Sequence, residues 1–468
     1  MTTASEAKGI YDTQELTYSE PMIEEQSTSR ICHVHRKEYS ELVMATTLDQ
    51  NVAPRRLKGK FQAQVVCFVL GLGSLVAWNS MMTIGDYCYK LFPTYHPSRV
   101  LTIIYLPFSL VTMIILTHNE SRINTRMRVI TINRICPFLH LHFVSSCYLA
   151  MSGKGGIVHY IGLCALSASF GVADALVQGG MVGDMSFMCP EFIQSFLAGL
   201  AASGVLTSAL RFLTKVAFEK LDDGLRKGAL LFFAISTLFE LVCIILYANY
   251  FPKLSIVKYY RLKAASEASK TVSADLAAAG IQNETNQQVG FDDKQHERLS
   301  NRQLFLQNID YAIDLFLIYV LTLSIVPGFL YKNTGSHQLG KWYALVLIAM
   351  YNISDLISRY IPLIKLLKLE SRKCLLAAIL SRLLLIPAFY FTAKYGDQGW
   401  MIVLVSFLGL TNGYLTVCVL TVAPKGYKGP EQNALGNFLV LILECGIFVG
   451  DALDWFVAHR KITRILMK

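Results

Sequence analysis

Charge is scarce in this chain. Only 16% of its 468 residues are Asp, Glu, Lys or Arg, against 53% hydrophobic, where a soluble domain carries about 25% charged residues. That balance excludes an ordinary soluble enzyme. The 11 cysteines include no C-x-x-C pair and fall mostly inside apolar stretches, with Cys88 alone near a predicted outer end. Free thiols follow, and neither a zinc site nor a disulfide framework is expected. No H-E-x-x-H, nucleophile elbow or phosphate-binding loop occurs, so hydrolytic and cofactor chemistry lose their usual signatures and no cofactor is expected. An intramembrane aspartyl protease would need two facing aspartates, nominally Asp174 and Asp355. Its G-x-G-D signature is missing, since Gly183-Asp184 and Gly450-Asp451 lack the first glycine. No filter-like segment suggests a channel. Residues 1–60 are polar and hold no early apolar run, so no cleavable signal peptide is expected and the first apolar stretch stays as a signal anchor.

What the chain has in abundance is long apolar runs. A bilayer crossing needs about 20 such residues. Eleven stretches qualify, near 62–85, 100–118, 129–150, 157–182, 192–214, 229–250, 308–331, 342–363, 374–394, 400–423 and 434–457. The third is the weakest, because Arg134, His140 and His142 interrupt it. The expected fold class is therefore an all-α polytopic membrane protein of 11 transmembrane helices.

The net charge of +10 does not indicate a nucleic-acid polymer as partner. Its Lys and Arg residues cluster at span ends rather than on one basic face. Arg55, Arg56, Lys58 and Lys60 precede the first span. Arg122, Arg126 and Arg128 separate the second and third, and Lys365, Lys368, Arg372 and Lys373 the eighth and ninth. All three clusters fall on one side when the N-terminus is cytoplasmic, which puts the C-terminus outside. Lys220, Arg226, Lys227, Arg460, Lys461, Arg464 and Lys468 then lie against the rule.

Residues 1–60 read as a disordered cytoplasmic tail. A polar cytoplasmic linker, 252–306, with an Ala-rich piece at 264–280, separates a six-helix bundle (61–251) from a five-helix bundle (307–458) and a short tail (459–468). Two bundles joined by a long loop suit a carrier whose halves rock about a central site. Sequons at Asn119, Asn283 and Asn352 fall in cytoplasmic loops or inside a span, where no glycan would be added.

Polar groups inside spans are the candidate working parts. An ionised residue at bilayer depth costs roughly 2.5–3.5 kcal/mol on insertion scales. In the eighth span Asn352, Asp355 and Arg359 stand at i, i+3 and i+7, on one helical face, with Asp355 and Arg359 spaced for an ion pair. In the fourth, Asp174 and Gln178 share a face, and the Gln178 amide can both donate to and accept from a base edge. Gly179, Gly180 and Gly183 thin that helix for a ligand or a second backbone. Leu75, Trp78 and Met82 share a face of the first span, a flat apolar platform for stacking a ring; the lipid interface is the competing place for such a tryptophan. Glu240, Asp314 and Glu444 are further buried acids. The small residues from Ala198 to Ala209 read as helix packing. Pro327 and Pro387 predict kinks, with Pro327-Gly328 a candidate hinge.

Taken in order, these pieces resemble the equilibrative nucleoside transporter family, closest to its plant branch. The resemblance covers roughly residues 60–458. It rests on Leu75-Val-Ala-Trp78-Asn79, Gln178-Gly179, Pro327-Gly328, Asn352-x-x-Asp355-x-x-x-Arg359, Asn412-Gly413-Tyr414-Leu415 and Pro424-Lys425. It implies a major-facilitator-like bundle of six plus five helices with alternating access, moving nucleosides such as adenosine or uridine, and nucleobases as an extension, across the plasma membrane. A sugar carrier of the same architecture is the nearest rival. By position the resemblance implies that Trp78 and Met82, with Leu75 nearby, line the base side. Gln178 would bond the base, and Asp355 and Arg359 would meet the ribose hydroxyls beside Asn352. Ala77, Val326, Asp174 and Gly180 depart from the better-described animal members. Asp174, one turn from Gln178, and Glu444 are candidates for proton coupling, which leaves facilitated diffusion and proton symport both open. A monomer is sufficient.

Overall fold

The structure, a computed structural model, describes residues 59–83, 85–93, 95, 97–118, 156–218, 223–264, 299–330, 339–395 and 397–466. The expected N-terminal tail, the third predicted span, the Asn119 and Asn283 sequons and most of the polar loop lie outside the described residues, as does the side chain of Glu240.

Long helices account for most of what is described. They are α1 (Lys60–Thr83), α2 (Pro97–His118), α3 (Ile157–Ser186), α4 (Pro190–Phe218), α5 (Gly224–Ile245), α6 (Ile309–Leu330), α7 (Tyr343–Ser358), α8 (Arg372–Ser381 with Leu385–Tyr395), α9 (Gln398–Val422) and α10 (Gly429–Leu466). No strand occurs among the described residues. Seven described helices are long and apolar enough to cross a bilayer. An eighth results when α6 is joined to the short helix Asn301–Gln307, against which it bends by 69°. Their outward faces are greasy: Ile103, Ile114 and Ile115 on α2 and Ile386 and Phe391 on α8 are exposed, while Ser109 and Arg382 are buried. Apolar outside and polar inside is the pattern of a multi-pass membrane protein, because hydrocarbon cannot satisfy polar groups.

Local chemistry sets the helix ends. Ser300 accepts from the Gln303 amide while the Gln303 side chain returns the bond, a capping box that starts the helix at Asn301. Asp397 caps α9 through the Trp400 amide. The α-helical part of the eighth span stops at Ser358, and Pro362 follows inside a 3-10 turn, as expected where proline disfavours the helical conformation just before it. Arg359 thus stands at the C-terminal cap of α7. In the ninth span the predicted break is present: a 3-10 turn, Arg382–Leu384, divides α8, and Pro387 cannot donate to the Leu383 carbonyl there. By contrast α6 stays helical through Pro327 to Leu330.

A repeated pairing organises the bundle. Helix α1 lies along α4 and α2 along α3; later in the chain α6 lies along α10 and α7 along α9. The two sets meet along two seams, α4 against α7, and α10 against α2 and α3. Parallel repeats of this kind are one building plan of transporters. Backbone contact is what the small residues supply. A Cβ on Gly71 would strike the Phe196 carbonyl, and one on Gly199 the Phe68 carbonyl. Gly171 against Tyr105, Gly413 against Asp355 and Gly446 against Phe316 do the same for the other pairs. Lipid provides no hydrophobic drive between helices, so such close approach must hold them.

Candidate functional site

Two buried polar clusters occupy the interior. The first is built on α7. Arg359 donates from Nε to Asp355 Oδ2 at 2.9 Å, and its Nη2 lies 2.9 Å from the same oxygen. The expected i, i+4 pair therefore forms, with the two residues only 4% and 6% exposed. Asn412 of α9 donates to the other carboxylate oxygen at 2.9 Å. Gly413 beside it lets α9 close on Asp355, because any side chain there would strike the Asp355 carbonyl.

The pair also reaches across the chain. Arg359 Nη1 donates to the Leu197 carbonyl of α4 at 2.6 Å, and Gln194 Nε2 of α4 donates to the Arg359 carbonyl at 2.8 Å. One turn along, Asn352 Nδ2 donates to the Gly204 carbonyl at 3.1 Å and to Ser208 Oγ at 3.0 Å. Asn79 of α1 donates to Ser203 Oγ at 2.7 Å from the other flank. So α4 is laced to both α1 and α7 by half-buried amides. Behind Asn412, the Thr322 hydroxyl lies 2.9 Å from Asn412 Oδ1 and accepts from Arg382 Nη2 at 2.8 Å. Arg382, 2% exposed, also donates to the Ile318 carbonyl at 3.2 Å. This cluster thus holds two guanidinium groups and one carboxylate.

The second cluster has the opposite balance. Asp174 of α3 accepts a short hydrogen bond from the Tyr105 hydroxyl of α2. Gln178, one turn on, is within bonding reach of the same carboxylate. Ser109 of α2 donates to Glu444 of α10 at 3.2 Å. Among the described residues neither carboxylate has a Lys or Arg partner, and the second oxygen of Asp174, Oδ1, is buried. Trp78 stacks on Tyr105 with ring centroids 3.9 Å apart and planes 22° off parallel. Met82 faces α2 as well, through Thr102 at 3.8 Å from its sulfur, and Leu75 is half-buried.

The predicted site residues therefore divide. Trp78, Met82, Asp174, Gln178 and Glu444 gather among α1, α2, α3 and α10. Asn352, Asp355 and Arg359 gather between α4, α7 and α9. Tyr319 of α6 stands within electrostatic reach of both, feeling the Asp355–Arg359 pair and Glu444. Tyr105, Ser109, Gln194, Tyr319, Thr322 and Arg382 were not among the residues expected at the site, and Asn412 was expected only as part of a motif, without a role. Arg382 alone carried a readable signal, as a charge inside an apolar run. Gly179 and Gly183, read as making room for a ligand or backbone, instead face side chains: Met113 for the first, Asn433 and Asn437 for the second. Lys425 of the Pro424-Lys425 piece binds Glu370 at 2.5 Å, joining the loop after α9 to the one before α8. That cation holds the Glu370 carboxyl below its ordinary range.

Comparison with known proteins bears on this arrangement. The family model described as Nucleoside transporter matches residues 164–459. Equilibrative nucleotide transporter 3 of Arabidopsis thaliana is 66% identical over 406 residues, 87% of this chain and 96% of that protein. Equilibrative nucleotide transporter 5 of the same plant is 63% identical over 406 residues, with the same coverage of each. Among solved structures, the major facilitator superfamily proton:xylose symporter XylE superposes with a TM-score of 0.52 at 11% identity, covering 85% of this chain and 90% of that one. At that identity the likeness speaks for the fold alone, which is major-facilitator-like.

Proposed function

The chain belongs to the nucleoside transporter family, and from that premise we propose that it moves nucleosides through a central cavity by alternating access. In this reading eleven spans form six-helix (61–251) and five-helix (307–458) lobes, joined by the 252–306 loop. The N-terminus is cytoplasmic, the C-terminus extracellular, the carrier a monomer and the plasma membrane its location. The repeated pairing of α1–α4 with α6–α10, and of α2–α3 with α7–α9, supports two lobes. The seams α4–α7 and α10–α2 are where they would rock.

The observation that carries the reading is the pair of oppositely balanced buried clusters. A nucleoside is a flat base joined to a polyhydroxylated sugar. Trp78 and Met82, with Leu75, offer the apolar surface for the base, and Gln178 the amide for its edge. Asp355 can accept from vicinal ribose hydroxyls and Arg359 can donate to their oxygens, with Asn352 beside them. In the structure these groups bond to protein: Arg359 to Leu197, Asn352 to Ser208. Substrate would exchange for those contacts as the α4–α7 seam opens, which ties binding to rocking.

Asp174 and Glu444 make proton symport the preferred mode. Among the described residues these two carboxylates have no cation beside them, and two ionised carboxylates at bilayer depth are costly, which supports a proton as the coupled ion. The test is uptake of labelled uridine or adenosine in a transport-deficient cell at acid and neutral pH, with and without a protonophore. Symport predicts faster uptake at acid pH that collapses with the protonophore. Uptake indifferent to both would leave facilitated diffusion.

A further inference from the structure

Tyr105 touches both the proposed base platform and the proposed proton site. Its ring lies parallel to Trp78 at 3.9 Å, its hydroxyl donates to Asp174, and the residue is only 5% exposed. One turn further along the same face of α2, Ser109 donates to Glu444. The backbone is closely packed at this point: Gly171 of α3 sits so near the Tyr105 carbonyl that a Cβ would collide with it. Any change at Tyr105 is therefore a change of its side chain, which among the described residues is anchored by Asp174.

We infer that Tyr105 is a positioning residue that couples protonation of Asp174 to base recognition at Trp78. A phenol donating to an ionised carboxylate makes a charge-assisted bond, about twice as strong as one between neutral groups. While Asp174 is ionised, that bond holds the Tyr105 ring over one face of the indole. Protonation of Asp174 removes the charge, so the bond from the phenol falls to the strength of a neutral one and the Tyr105 ring leaves the indole more easily. The freed indole face then takes the base, by the same offset stacking that Tyr105 used. Linkage requires the reverse as well: a base occupying that face favours the protonated carboxyl. Proton and nucleoside thus enter together without touching each other.

The groups around Asp174 agree with this role. From α1 comes Trp78, from α2 Tyr105 and Ser109, from α3 Gln178, from α10 Glu444 and Cys445, and from α6 Tyr319, which reaches Glu444. None of these is a cation, so among the described residues no fixed positive charge competes with the proton for Asp174. Gln178 lies within reach of the same carboxylate, and can either steady it or turn its amide to the base.

The inference rests on Trp78 as base platform and Asp174 as proton site. Equilibrium binding of labelled uridine to the purified full-length protein in lipid nanodiscs, across pH, separates it from the transport reading. Wild type should bind at least about fivefold more tightly at acid than at neutral pH, the lower end of ordinary coupling. Tyr105→Phe keeps the ring and loses only the hydroxyl, so it should bind as tightly at neutral pH as wild type does at acid pH. Asp174→Asn should do the same, and serves if Tyr105→Phe does not fold. A Tyr105→Phe profile that follows wild type overturns the coupling. So does a wild-type affinity that is flat with pH while the same protein still takes up uridine in cells, a result that leaves nucleoside transport standing. Loss of all uridine binding and uptake in wild type would instead strike the function itself.

Discussion

Asp355 is the residue with the least slack. Its oxygens are taken by Arg359 and Asn412, and its helix neighbour Arg359 also reaches Leu197 on α4. Removing one partner of a buried pair leaves an uncompensated charge, an effect on the order of 3–5 kcal/mol. Asp355→Ala and Arg359→Ala should therefore abolish uridine uptake while the protein still reaches the cell surface, read by surface labelling. Normal substrate affinity in either variant would remove the ribose assignment. Arg359→Lys is the sharper version. An ammonium cannot serve Asp355 and Leu197 with the fork geometry that the guanidinium uses, so uptake should fall nearly as far as in the alanine variant. Trp78→Ala tests the other cluster: affinity should weaken by roughly 1–3 kcal/mol, the scale of base–aromatic stacking. Unchanged affinity would make the indole a packing group against Tyr105 and nothing more.

At the scale of helices, what could be read in advance depended on whether the partner lay on the same helix. The Asp355–Arg359 pair was legible because 3.6-residue periodicity fixes which side chains meet within one span. The same periodicity put Asp174 and Gln178 together. Asn412, Thr322 and the Leu197 carbonyl were not legible as partners of that pair, because they depend on which helices cross and at what height. Tyr105 was missed for the same reason. A tyrosine in an apolar run carries no mark of the acid that meets it from α3. The stop of the α-helix at Ser358 was not legible, because hydropathy continues through Ile364 whereas Pro362 ends the α-helix first. The small residues of α4 were legible as packing, since their spacing of four is itself the signal. Their contact with α1 makes a stability prediction. In Gly199→Leu the new side chain would have to displace the Phe68 backbone. Overpacking of this kind costs typically 1–3 kcal/mol and more where backbone must move. Thermal denaturation in detergent, followed by the loss of monodisperse protein, should shift downward. Gly162→Leu, with no described residue within 4 Å of its Cβ position, should leave the transition where it is.

Across the whole molecule, rocking makes a demand that no single site does: the two seams cannot stay closed at every height at once. Helices α4 and the start of the eighth span meet at both ends. Gln194 and Leu197 hold Arg359 at one end. At the other Phe212 stacks on Trp342 with centroids 5.7 Å apart, and Lys215 lies 4.3 Å over the same indole. The two ends differ in kind, since the first is a lattice of directional hydrogen bonds and the second is aromatic and can slide apart at smaller cost. The aromatic end is therefore expected to open while the Arg359 end stays shut, and to close when that end opens. A reducible thiol cross-linker bridging Phe212→Cys and Trp342→Cys should trap the closed state, stop uridine uptake, and release it on reduction. Each single cysteine variant, treated alike, should keep transporting. Full uptake through a verified cross-link would mean that this end never separates, and the alternating motion would have to run along the α10 seam instead.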